Sequence, residues 1–200
     1  MKYYFDEVYK ALKTIDTTQT DKLVYGLVNT WKYGHTVFVI GNGGSAATAS
    51  HLACDVSKLT IVEGTPRFKI LALTDNMPII TAWANDTSYS NVFVQQLIPF
   101  ITDKDFVLGI SGSGNSKNVL NAFEYAKSIG AKTACLSGFE GGLAKSVVDV
   151  SVVTYSDNMQ VIEDCHSILC HAISLKILRI AERFATTGKW ISDEEVQLRV

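Results

Sequence analysis

The sequence lacks the features that tie a chain to nucleic acid, to a membrane or to an oxidising compartment. Its 18 lysines and arginines are outnumbered by 20 aspartates and glutamates, a formal net charge of −2, so no broad basic face exists to neutralise a phosphate backbone. No nucleic-acid partner is expected. No apolar run reaches membrane-spanning length without charges, and the opening Met1-Lys-Tyr-Tyr-Phe-Asp-Glu has acidic residues where a signal peptide needs an unbroken apolar stretch. No membrane partner and a cytoplasmic location are expected. The four cysteines, Cys54, Cys135, Cys165 and Cys170, have no C-x-x-C spacing and lie in apolar-patterned segments, as small hydrophobes in a reducing compartment do. The G-x-x-x-x-G-K-[ST] pattern is also missing, which argues against an NTPase.

What is present suits one globular domain over residues 1–200: 47% of the residues are hydrophobic and 19% charged. Phe5, Val8, Leu12 and Ile15 predict a helix over about 2–15, and Leu23, Leu27, Val28 and Trp31 a second over about 20–33. Apolar runs follow at Thr36–Ile40, Phe68–Leu73, Asp105–Ile110, Thr133–Leu136 and Val148–Val153. They are continuous rather than alternating, as in strands covered on both faces, which predicts an α/β fold with a mainly parallel five-stranded sheet. Between the strands, Ser45–Lys58 and Lys117–Ser128 read as helices, and Met77–Phe100 as a helical region broken near Asn85-Asp86 and at Pro99. A long last helix runs from near Asp157 to about Thr186, where Thr-Thr-Gly ends it. No internal linker, low-complexity tract or repeat interrupts the chain.

Two junctions stand out. Val37-Phe-Val-Ile-Gly-Asn-Gly-Gly-Ser45 and Val107-Leu-Gly-Ile-Ser-Gly-Ser-Gly-Asn-Ser116 each lead from an apolar strand through glycines and hydroxyls into a helix. Such a corner aims unpaired backbone N–H groups and serine hydroxyls at an anion, with the helix dipole adding favourable potential. Two of them suggest a small phosphorylated ligand. The first loop does not make a dinucleotide fingerprint, because Ala46 stands where the last glycine belongs and no ribose-binding acid ends the next strand. Asn42 and Ser45 suit sugar hydroxyls better.

His51 and Asp55 are spaced i,i+4, which puts imidazole and carboxylate on one helix face as a metal pair, a proton-transfer pair or a plain salt bridge. The last helix embeds Glu163, Asp164, His166 and His171 among apolar residues, and clustered polar groups there point to function. The two histidines lie about 140° apart around a helix, so one of them is expected to be structural. Glu163 is about 80° and about 12 Å from His171, so the two meet at one centre only if both lean inward or a second subunit contributes. Tyr3, Tyr4, Phe5 and Tyr9 read as packing residues, His35 as a loop residue, and Trp190–Val200 as either a closure over a partner chain or a loose tail.

Taken in order, Gly41-Asn-Gly-Gly-Ser45, His51, Asn85-Asp86, Ser111-Gly-Ser-Gly-Asn-Ser116, Gly141-Gly142 and the Glu163…His166…His171 helix resemble the sugar isomerase (SIS) domain, and the whole chain resembles its phosphoheptose isomerase family. The resemblance implies a three-layer αβα sandwich and a homotetramer with active sites between subunits. It implies that Ser111, Gly112, Ser113 and Ser116 hold the phosphate, and that Asn42, Gly43, Gly44, Ser45, Asn85, Asp86 and Glu163 line the sugar site. The family's zinc ligands, a histidine, a glutamate, a glutamine and a second histidine, map onto His51, Asp55, Glu163 and His171. Asp55 is a methylene shorter than the family's glutamate, and Glu163 is charged where the family has an amide. With both carboxylates ionised, zinc and its ligands would sum to about zero charge instead of about +1, weakening the pull on substrate electrons.

The implied activity is ketose-to-aldose isomerisation through an enediol, between sedoheptulose 7-phosphate and D-glycero-D-manno-heptose 7-phosphate, feeding heptose precursors of lipopolysaccharide. Asp55 and His171 would move the protons. Two other readings compete with it: a noncatalytic SIS tetramer that binds a replication initiator protein, and an isomerase or binding domain for another phosphosugar.

Overall fold

The five apolar runs become the strands of one all-parallel sheet: β1 (Thr36–Gly41), β2 (Lys69–Ala72), β3 (Phe106–Ser111), β4 (Lys132–Gly138) and β5 (Val150–Thr154), ordered β2-β1-β3-β4-β5. The structure is a computed structural model in which residues 1–191 are described. The helices are α1 (Lys2–Leu12), α2 (Thr17–Lys32), α3 (Gly44–Leu59), α4 (Met77–Asp86), α5 (Val94–Leu97), α6 (Lys117–Ser128), α7 (Ala144–Val147) and α8 (Met159–Thr187).

Alternate side chains of each strand feed opposite layers. Val37, Val39, Leu108, Ile110, Ala134 and Leu136 pack against Leu23 and Leu27 of α2, Leu52 of α3 and Ile173 and Ile177 of α8. Phe38, Ile40, Val107 and Cys135 pack on the other face against Phe93, Leu97, Val119, Phe123 and Ala144. Helices thus cover both faces, which is why the strands read as unbroken apolar runs and the architecture is a three-layer αβα sandwich. Outside it, α1 lies along α8, with Ala11, Val161 and Cys165 buried between them and the Tyr4 hydroxyl donating to Asp164 Oδ2 at 2.6 Å.

Several boundaries follow local hydrogen bonding. The first helix stops at Leu12 rather than 15: the Thr14 hydroxyl donates to the Ala11 carbonyl at 2.7 Å, and Asp16 caps α2 by accepting from Thr18 N–H at 2.8 Å. The broken region resolves into α4, a 3-10 turn at Tyr89–Asn91 and α5, with Pro99 just past the last. Asn158 caps α8 and Gly188, at φ 65°, ends it.

Burial pushes the Cys135 and Cys170 thiols up to about 12 and Cys165 to about 11, so these three behave as the sequence predicts. Cys54 does not, because its position on α3 is exposed. Tyr3, Phe5 and Tyr9 are exposed too, leaving Tyr4 as the member of that aromatic group that packs. His35 sits in the connection before β1. Trp190 stacks edge-on against Trp31 with ring centroids 4.9 Å apart, and Ile191 is buried, so the start of the terminal segment folds onto its own chain. The rest of the Trp190–Val200 reading lies outside the described residues. Among the described residues no helix is long and apolar enough to cross a membrane.

Candidate functional site

The strand order reverses direction between β1 and β3, and an open parallel sheet has a crevice at the carboxyl ends of its strands at that point. Parallel register sets Gly41 beside Ile110 and Ser111 beside Ser137. The loops after β1, β3 and β4 are therefore neighbours, and both glycine-rich corners open onto one edge.

The corner after β3 is a hydroxyl cradle braced from behind. Ser111, Ser113 and Ser116 line a cavity of about 190 Å³ with Ser45, Asn42 and Glu163. The carbonyls of Gly112 and Gly114 accept from Gly138 N–H at 2.8 Å and Ala144 N–H at 2.9 Å, and Asn115 Oδ1 accepts from Leu143 N–H at 2.9 Å. Gly114 and Gly142 meet backbone to backbone, and both have positive φ, so any Cβ at either position would overlap the facing chain. Gly141-Gly142, met in the sequence as a bare dipeptide, is the back wall of the serine loop.

The corner after β1 is furnished differently. Gly43 has φ 54° and precedes the first residue of α3, Gly44. A Cβ on Gly44 would lie 2.6 Å from Glu163 Oε2, so only glycine lets that carboxylate rest over the start of α3, where the helix dipole favours negative charge. The Asn42 side chain is spent on the protein: its Nδ2 donates to Asn118 Oδ1 at 2.9 Å, and its Oδ1 accepts from Asn118 Nδ2 and from the Tyr89 hydroxyl, both at 2.8 Å. Sequence reasoning missed Asn118 and Tyr89. The available signal was an amide two residues past Ser116, in the first turn of the helix that the cradle opens. Asn85 and Asp86 hydrogen-bond each other at 2.9 Å on the exposed end of α4 and do not line the cavity.

One turn apart on α3, His51 and Asp55 meet His171 of α8. Their ligand atoms all lie within 4.8 Å of one another, with His51 Nε2 3.6 Å from Asp55 Oδ1 and His171 Nε2 3.8 Å from Asp55 Oδ2. Both imidazoles are about half exposed, and their rings sit edge-to-face at 4.9 Å. Two imidazoles and one carboxylate are the three-ligand set of an open zinc site, so this donor chemistry fits the metal that the resemblance implies. Glu163 is outside that group.

His166, five residues before His171, faces the sheet instead. It is buried, its Nε2 lies 3.1 Å from the Ser137 carbonyl, and its Nδ1 has no hydrogen-bond partner. Burial lowers its pKa to about 4, against a small opposing pull from the Ser137 carbonyl, so the ring is neutral near pH 7. It is the structural member of the pair.

The SIS domain family model matches residues 3–138, which takes in both glycine-rich corners, His51 and Asp55. A probable phosphoheptose isomerase of Thermoplasma volcanium is 36% identical over 170 residues, covering 85% of this chain and 86% of that protein. The solved structure of phosphoheptose isomerase GmhA from Neisseria gonorrhoeae superposes with a TM-score of 0.79 at 27% identity, covering 88% of this chain and 95% of that one. A phosphoheptose isomerase from Francisella tularensis gives 0.78 at 25% identity, with 89% and 93% covered. The chain belongs to the phosphoheptose isomerase family of SIS-domain proteins.

Proposed function

We propose that the protein, acting as one SIS domain over residues 1–200, is a zinc-dependent isomerase of sedoheptulose 7-phosphate and D-glycero-D-manno-heptose 7-phosphate. The family supports the coarser statement of a phosphosugar isomerase, since the relatives bear the name phosphoheptose isomerase. The observation that carries the finer reading is a hydroxyl-lined cavity that the start of α3 enters through Ser45, and an imidazole-carboxylate cluster about two to three turns along the same helix.

Ser111, Gly112, Ser113 and Ser116 hold the phosphate, and Gly43, Gly44 and Ser45 face the sugar. Asn42 contributes by shaping its loop, and the place of Asn85 and Asp86 at the sugar rests on the resemblance, since both lie off the cavity on the exposed end of α4. His51, Asp55 and His171 would hold zinc, which when bound would supply positive charge to polarise the substrate carbonyl. Asp55 offers two oxygens, each toward a different histidine, so one can ligate while the other accepts the C1 proton. His171 Nε2, 3.8 Å from Asp55 Oδ2, would take that proton over from Asp55 while it is off the metal and return it at C2, and the O1 proton would pass to O2, so both protons end on the sugar and the enzyme is reset.

Because Glu163 rests over the start of α3, it meets substrate hydroxyls rather than metal in this reading. The three-ligand site then keeps a charge of about +1, and the neutralisation expected from two carboxylates does not arise. The protein is expected to work as a cytoplasmic homotetramer that feeds lipopolysaccharide heptose.

The test pairs metal analysis of purified protein with an isomerase assay on sedoheptulose 7-phosphate. Zinc at one per subunit with turnover supports the reading. Neither zinc nor turnover favours the noncatalytic scaffold, and turnover of a shorter phosphosugar alone reassigns the substrate.

A further inference from the structure

The two corners are joined by a single polar device. Asn118, the second residue of α6, is 3% exposed and has both ends of its amide engaged: Nδ2 donates to Asn42 Oδ1, while Oδ1 accepts from Asn42 Nδ2 and from Val119 N–H at 3.0 Å. Among the described residues no backbone hydrogen bond links the loop after β1 to the loop after β3, although three backbone or side-chain bonds tie the latter to the loop after β4. The reciprocal Asn42–Asn118 pair is the direct link, and Tyr89 completes it by donating to Asn42 Oδ1 at 2.8 Å from the 3-10 turn. That turn is itself held to α6, where Asn121 Nδ2 donates to the Ser90 carbonyl at 3.0 Å.

We propose that Asn118 is a positioning residue which, through its paired amide with Asn42, fixes the separation of the two corners and so the length of phosphosugar that the site accepts. The inference rests on the functional reading above in assigning phosphate to the serine loop and sugar to the loop after β1. A ligand gripped at both ends senses their spacing, and a misplacement of about 1 Å costs up to about a hundredfold in rate. A ligand gripped at one end does not sense it. Asn118 is buried and Asn42 half-buried, so removing Asn42 strands the Asn118 amide, while removing Asn118 takes the partner of Asn42 Nδ2 and frees the first loop to shift.

Asn118→Leu, similar in volume, separates these cases. Inorganic phosphate should bind within about twofold of wild type, while kcat/KM for sedoheptulose 7-phosphate falls at least about tenfold. Amide hydrogen exchange at Gly43–Ala46 should accelerate without any ligand present. Asn42→Ala breaks the same pair from the less buried side and should give the same split, which covers a failure of Asn118→Leu to fold. A parallel loss of phosphate and phosphosugar would mean that Asn118 only builds the serine loop, and unchanged exchange at Gly43–Ala46 would mean that the pair couples nothing; either overturns the inference. If wild-type protein turns over no sedoheptulose 7-phosphate, the functional reading falls, and the exchange rates alone decide the amide pair.

Discussion

His166 and His171 stand five residues apart on one helix and have nothing else in common. His171 leans toward α3, half exposed, with Asp55 3.8 Å away and His51 edge-on to its ring. His166 is turned about 140° from it, into the sheet, where its Nε2 lies 3.1 Å from the Ser137 carbonyl. The ring with the strongly perturbed pKa is the one remote from the candidate chemistry. Desolvation alone accounts for that shift, so a displaced titration here marks burial, and convergence of donors marks the site.

The sharpest way to break this contrast is to remove each ring in turn. His171→Ala should lower kcat by about 10²- to 10⁴-fold, the range of a lost acid–base group, with the thermal midpoint little changed because the side chain is half exposed. Substantial retained turnover would reject its assignment. His166→Gln should do the reverse, keeping turnover near wild type while lowering stability, and a steady-state assay beside a melting curve reads both.

Acid sharpens the same contrast. Below pH 6.5 the unfolded chain protonates His166, whereas the folded chain resists until about pH 4, so between those values the unfolded state binds more protons and stability falls as pH falls. A shift of this size corresponds to about 3 kcal/mol across the window. Urea unfolding at pH 7 and pH 4.5 should show wild type losing more of its stability on acidification than His166→Gln loses. Equal losses would mean that the buried ring is not the source.

Much of this was legible in the chain. Val37–Ile40 and Val107–Ile110 declared buried strands because both of their faces are covered, and Ser116 to Gly130 bracketed α6 at both ends. The i,i+4 spacing of His51 and Asp55 placed two donors on one face. What could not be read was direction across long separations. Helical geometry alone says that Glu163 and His171 diverge, yet only the packing of α8 along α3 shows that His171 joins the donors and Glu163 meets Gly44. Asn118 escaped notice for a related reason: an asparagine in a first turn reads as a capping residue, and its true partner is 76 positions away.

Glu163→Gln is the smallest perturbation and tests that division of α8 most directly. The substitution restores an amide where the resemblance places a zinc ligand, so if Glu163 reached the metal, zinc affinity should change markedly when a charged donor becomes neutral. The geometry predicts otherwise: its carboxylate lies over the first residue of α3, outside the His51–Asp55–His171 group. Zinc affinity measured by competition with a chromophoric chelator should therefore stay within about threefold of wild type, while stability drops by about 0.3–1 kcal/mol as a helix N-terminus loses its counter-charge. Phosphate affinity should rise modestly, because one negative charge leaves the cavity that Ser111, Ser113 and Ser116 line. A large change in zinc affinity would move Glu163 back among the ligands and erase the distinction between the two ends of the helix.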